Sequence, residues 1–121
     1  METIGDLGSY TLPAMLANSL KKFGDRPAVA FASASAQPLT YTEVGERIHE
    51  TRNLLWSLGV EKGDRVALYA TSSPNWGIAY FSIVTLGAIA VPLLPDFNTK
   101  EVETCLAHSG ATALIVSEKL A

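Results

Sequence analysis

Hydrophobic residues recur with a helical period in the first half of this chain and in short unbroken runs in the second. Leu12, Leu16, Leu20 and Phe23 share one stripe, which predicts a helix over residues 12–22, capped by Thr11, opened by Pro13 and ended by Gly24. Residues 28–31 and 39–41 are short strand-prone runs on either side of the small polar stretch 32–38, and predict a hairpin. Thr42 is then the expected cap of a second helix running to Leu58, with Glu43 in its first turn, where the helix dipole favours an anion. Val44, Ile48, Leu55 and Leu58 make its buried stripe, and Glu43, Glu46, Arg47, Glu50 and Arg52 its wet face.

The rest of the chain is organised around residues 59–70. Gly59 follows the helical pattern and can adopt the left-handed conformation that stops a helix, while Val60 folds back onto Leu55. Lys62-Gly63-Asp64 supplies turn chemistry, and residues 66–70 form an apolar run without alternation, as expected of a strand covered on both faces. Ser73 caps the next helix, with Pro74 at its first position and Gly87 past its end. Residues 75–86 carry no charge on any face, so this helix belongs inside a larger body. Residues 88–94 are a second strand, with Pro92 near an end or an irregularity because it cannot donate to a ladder. Thr99 caps a helix over 100–109 that turns Val102, Cys105 and Leu106 inward and closes at Gly110. Residues 113–116 are a third strand, and Ser117 has the look of a cap for a helix extending beyond Ala121. Strand, helix, strand, helix, strand predicts an α/β fold, a hairpin and helix followed by a βαβαβ unit with a parallel sheet and two right-handed crossovers.

Composition narrows the function classes. At 121 residues the chain has the size of one domain, and a net charge of −3 without a basic cluster argues against nucleic acid as a partner. Charged residues are only 17% of the total, which suggests that part of the surface is covered by something else. Cys105 is the single cysteine, so there is no internal disulfide, and the reading as a half-buried apolar residue outweighs a reactive thiol. Residues 67–95 carry no charge, but Pro74, Pro92 and Pro95 with the polar 71–73 run break this stretch into pieces too short to span a bilayer. An acidic N-terminus unlike a signal peptide makes the cytoplasm the expected location, with residues 1–10 flexible.

Candidate chemistry is sparse. There is no dinucleotide fingerprint, Walker loop, nucleophile elbow or zinc-protease helix. Gly59 and Gly63 bracket a turn but lack the Lys and Ser/Thr of a phosphate loop. His49 and His108 lie on different predicted helices without a second ligand at metal spacing, and read as surface residues. Glu43 with Arg47, and Glu46 with Glu50, are solvated helix-face charges rather than a catalytic pair. Trp76, Tyr80 and Phe81 could line a ligand cavity, although aromatics on a buried helix are usually core. The residues alone identify no catalytic, cofactor-binding or metal-binding side chain.

Four blocks in register nevertheless resemble a known family: Leu39-Thr40-Tyr41-Thr42-Glu43-Val44, residues 59–67, Pro74-Asn75-Trp76, and Gly87-Ala88-Ile89-Ala90-Val91-Pro92-Leu93. Their order and spacing are similar to the opening of the AMP-forming acyl-CoA synthetases, the adenylate-forming ligases. Residues 92–97 and the Trp76 to Phe81 helix lean toward long-chain fatty acid CoA ligases. Ser72, Asn75 and Val44 depart from the family's usual Asn, Glu and Leu. The resemblance implies that residues 1–121 are the N-terminal segment of a large AMP-binding domain, incomplete by itself. In the full-length enzyme a carboxylate would attack the α-phosphate of ATP, with Mg²⁺ assisting, and CoA would then displace AMP. The family's phosphate loop, adenine segment, ribose-binding Asp and catalytic Lys have no counterpart here, so the segment is expected to be an inactive scaffold. Its partners would be the remainder of the parent ligase and, through exposed apolar surface, a second copy of itself. Two rival readings stand beside this one. One is a free-standing flavodoxin-like module that holds a small ligand, and the other is an interaction protein that docks through its apolar helix.

Overall fold

The computed structural model describes residues 11–30 and 37–121. The expectation for residues 1–10, and most of the predicted hairpin loop together with Phe31, lie outside the described residues.

Helix α1 spans Leu12–Phe23. Thr11 caps it by accepting from the Ala14 N–H at 3.2 Å. Leu16 is buried, whereas Leu12, placed on the inward stripe by its spacing, is 40% exposed at the first turn. Strands β1 (Pro27–Val29) and β2 (Leu39–Thr40) pair antiparallel, as the hairpin reading requires.

Helix α2 spans Tyr41–Ser57, and its cap is Thr40 rather than Thr42. Thr40 Oγ1 accepts from the Glu43 N–H at 3.2 Å while Glu43 Oε1 accepts from the Thr40 N–H at 3.1 Å, a reciprocal box that needs its Glu three residues after the cap. Thr42 is the second residue of the first turn, and its N–H donates to Gly24 O at 3.0 Å. Val44, Ile48 and Leu55 are buried as expected. Leu58 is not: it is the C-cap residue, past the last full turn, and is 71% exposed.

The stop at Gly59 has the geometry that its sequence implies. Gly59 adopts φ 96°, its N–H bonds to Trp56 O at 3.0 Å, and the Val60 N–H reaches back to Leu55 O at 3.1 Å. Val60 and Leu55 are buried in one cluster, so the hydrophobic contact that accompanies this cap is present. The chain then enters strand β3 (Arg65–Tyr69), in which Val66, Ala67 and Leu68 are fully buried. Burial of consecutive side chains means that both faces of β3 are covered, and the sheet order β4-β3-β5 places it in the middle.

Helix α3 spans Pro74–Thr85, strand β4 Ile89–Leu93, helix α4 Thr99–Ser109 and strand β5 Ala113–Val116. Both β4 and β5 run parallel to β3. Ser73 takes the extended cap position of α3 without a side-chain bond, and Trp76 donates its N–H to Ser73 O at 3.0 Å. The cap of α4 is Asn98 rather than Thr99, for the same reason as in α2. Asn98 Oδ1 accepts from the Glu101 N–H at 2.9 Å, and Glu101 Oε1 accepts in return from the Asn98 N–H at 3.2 Å. Val102, Cys105 and Leu106 are half-buried. At the far end of α4, the Arg65 guanidinium donates to Ser109 O at 2.9 Å, placing a cation where the helix leaves carbonyls unpaired.

The uncharged helix α3 lies between two apolar clusters. Ala79 and Ile83 pack with Val66 and Leu68 of the sheet, while Ile78 packs with Leu16, Val44 and Ile48 of α1 and α2. Much of its cover therefore comes from this chain, which accounts for apolar residues nearly all round. Ser82 is the one fully buried polar side chain among the described residues, and its hydroxyl stands 2.6 Å from Ile78 O and 3.3 Å from Ile48 O on α2. Ser117 takes the extended cap position of a 3₁₀ turn, Glu118–Leu120, without a side-chain cap bond; its Oγ accepts from the Thr71 N–H at 3.3 Å, tying the exits of β5 and β3 together.

Candidate functional site

Parallel strands deliver their following loops to one end of the sheet, and polar residues placed there face the crevice outside the carboxyl ends. In this chain β3 exits into Thr71-Ser72-Ser73 and β5 into Ser117-Glu118-Lys119. Between them lies a cleft of about 560 Å³, floored by Leu68, Ala70 and Ile115 and walled by Asn75 and Trp76 at the start of α3. Its volume falls in the usual range for a small-molecule site. Trp76 is stacked on Tyr80, with ring centroids 5.3 Å apart and planes 8° from parallel, and Tyr80 meets Phe81 edge-on at 5.6 Å. The cleft thus offers hydroxyls, one amide, one indole and the Glu118 and Lys119 side chains.

A second, smaller cavity of about 270 Å³ opens on the other side of α3, among Met15, Leu16, Val29, Val44, Ile78 and Phe81, with Ser19 and Tyr41 as polar neighbours. The three aromatics that the sequence groups together therefore part company. Trp76 lines the cleft, Phe81 lines the apolar cavity, and Tyr80 packs against the core between them.

The remaining candidates are dispersed. His49 is exposed on α2, where Arg52 donates to its Nδ1 at 2.9 Å and the Asn53 side-chain amide lies 3.2 Å from Nε2. His108 is exposed in the last turn of α4, and Cys105 is a half-buried free thiol. Among the described residues no group of His, Cys, Asp and Glu gathers closely enough to hold a metal ion. Among the described residues, the hydrogen bonds of His49, Ser82 and Ser117 run to Arg52, Asn53 and backbone groups, not between a hydroxyl and a histidine or carboxylate.

Neither Thr71 nor Ser117 is marked as a site residue by a motif. The signal that marks them is positional: each is the first polar residue after a strand of the parallel sheet. Tyr69 also escapes a motif search. Its phenol donates to Phe97 O at 2.8 Å and pins the turn after β4 to the end of β3.

Comparison with known proteins agrees with this architecture. The chain is 32% identical over 113 residues to the crotonobetaine/carnitine-CoA ligase of Salmonella paratyphi B, a match that takes in 92% of this chain and 22% of that protein. It thus spans about a fifth of the length of the curated relatives it matches. Among solved structures, the N-terminal subdomain of Klebsiella oxytoca NpsA in complex with anthranilyl-AMSN superposes with a TM-score of 0.82 at 26% identity, over 88% of this chain and 27% of that one. IdnL1 gives a TM-score of 0.80 over 88% of this chain and 22% of that one, and at 23% identity it speaks for the fold alone. The strand order, the cleft at the carboxyl ends and the four sequence blocks all fall within residues 16–121, the part that matches the AMP-binding enzyme family, and to that family the chain belongs.

Proposed function

We propose that this chain forms the N-terminal part of the large domain of an AMP-forming acyl-CoA ligase, and that by itself it is a scaffold without ligase activity. In the complete enzyme a carboxylate is joined to AMP at the expense of ATP and the acyl group then passes to CoA. A fatty acid is the acyl donor we favour, on the strength of residues 92–97 and the Trp76 to Phe81 helix, whereas the relatives compared above are named for crotonobetaine and carnitine. The single observation that carries the reading is the match of residues 16–121 to the AMP-binding enzyme family in a chain that spans about a fifth of the length of its CoA-ligase relatives. A cytoplasmic setting is in keeping with the lone free thiol.

Two measurements test this. The 121-residue chain incubated with ATP, Mg²⁺, a fatty acid and CoA should yield neither AMP nor thioester, and production of either overturns the scaffold reading. In thermal-shift assays ATP, AMP and acyl-adenylate analogues should leave the midpoint unchanged. A dose-dependent rise would favour the rival small-ligand module instead.

A further inference from the structure

Helix α3 carries a glycine that neither backbone geometry nor packing demands. Gly77 lies inside Pro74–Thr85, its φ is not positive, and a Cβ built on it meets nothing within 4 Å. Glycine in a helix interior is unfavourable relative to alanine, so its presence calls for a cause. For Gly45 of α2 the cause is a close neighbour: a Cβ there would stand 3.1 Å from both methyl carbons of Leu20, and its absence lets α1 and α2 approach. No such neighbour stands at Gly77. It belongs instead to the face of α3 made by Pro74, Gly77, Ile78 and Phe81, at spacings of three and four, and all four line the cavity of about 270 Å³. A side chain at position 77 would project into that space, and the glycine keeps it open.

The wall determines what the cavity can hold. Every lining residue belongs to α1, β1, α2 or α3, the elements whose side chains pack together in the cluster around Leu16, Val44, Ile48 and Ile78. Leu16, Val44 and Ile78 are its buried part, and the exposed Met15 stands at its mouth. None of the lining residues carries a charge, and the side-chain hydroxyls among them are those of Ser19 and Tyr41. An ionised ligand would lose its hydration there without gaining a counter-charge, whereas a neutral one with a single hydroxyl can be matched. A dry apolar cavity of about 150 Å³ holds one benzene ring, so the larger volume here suits two fused rings.

We propose that this cavity is a binding site for a small neutral aromatic alcohol with two fused rings, its rings against Ile78 and Phe81 and its hydroxyl toward Ser19 and Tyr41. Gly77 is the residue that sets the room available. The ligand bridges α1, α2 and α3, so its binding favours the folded chain. This inference does not depend on the ligase reading.

The probe is β-naphthol. Titrated into the native chain, it should shift the methyl resonances of Met15, Leu16, Val44 and Ile78 saturably and raise the unfolding midpoint. The carboxylate β-naphthoate, with the same rings, should do neither. Gly77→Leu puts a side chain into the cavity and should weaken β-naphthol binding by about tenfold or more. Gly77→Ala adds one carbon in open space, keeps the fold whatever the Leu variant does, and should weaken binding by about threefold. A chain carrying Ser19→Ala and Tyr41→Phe should hold β-naphthol no more tightly than naphthalene, with its affinity for naphthalene unchanged. A native chain that shows no saturable binding overturns the proposal. So do methyl shifts that fall outside the cavity, β-naphthol affinity undiminished by Gly77→Ala, β-naphthoate bound as tightly as β-naphthol, or a double variant that keeps the native affinity for β-naphthol.

Discussion

Replacing Gly59 with alanine isolates the conformation that separates α2 from β3. Gly59 adopts φ 96°, and a Cβ built there meets nothing within 4 Å, so Gly59→Ala changes backbone strain and leaves packing alone. An L-residue in the left-handed region costs about 1–2 kcal/mol. The smaller conformational entropy of Ala in the unfolded chain returns about 0.4–1 kcal/mol. The net expectation is a loss of about 1 kcal/mol, or about 4 °C in midpoint for a chain of this size. Gly77 supplies the control. It lies inside α3, its φ is not positive, and a Cβ there also meets nothing within 4 Å. Gly77→Ala should therefore stabilise by about 0.5–1 kcal/mol, since glycine in a helix interior is unfavourable by that amount. The same added methyl group thus moves stability in opposite directions at two sites where it meets nothing, one inside a helix and one in the left-handed stop after a helix. Urea unfolding followed by far-ultraviolet circular dichroism measures both variants, with the slope expected to stay at its native value. If Gly59→Ala proves as stable as the native chain while Gly77→Ala behaves as expected, the left-handed stop is not what sets the start of β3.

Two further substitutions test single bonds. Thr40→Ala should cost about 1 kcal/mol by removing the α2 cap, whereas Thr42→Ala should cost far less, and equal losses in the two unfolding curves would contradict the capping box. Tyr69→Phe deletes the bond to Phe97 O and should destabilise by about 1 kcal/mol, with faster amide exchange at residues 94–98. Unchanged exchange there would show that the turn is held by something other than the phenol.

The helices and strands were legible in the sequence because their signals are local. An unalternated run at 66–70 needs cover on both faces, and a glycine after a helical stripe needs a place to stop; β3 and the Gly59 cap meet both conditions. Both cap errors have one origin. In Thr40-Tyr41-Thr42-Glu43 and Asn98-Thr99-Lys100-Glu101, Thr42 and Thr99 are the hydroxyls nearest to the apolar pattern and so read as caps, whereas the acidic residue fixes the cap three positions earlier. Leu58 and Leu12 were misplaced because periodicity extends a buried stripe to the ends of a helix, where no neighbour remains to cover it.

The cleft was less legible than the fold, and the reason is topological. Thr71 and Ser117 stand 46 positions apart along the chain, and only the pairing of β5 with β3, rather than with the preceding β4, brings their loops together. No periodicity reveals which side of β3 the third strand takes. Once it lies beside β3, the first polar residues after each apolar run are forced to one end of the sheet, and Trp76 is carried there by the start of α3. The sheet places these groups as a wall before any ligand or partner arrives.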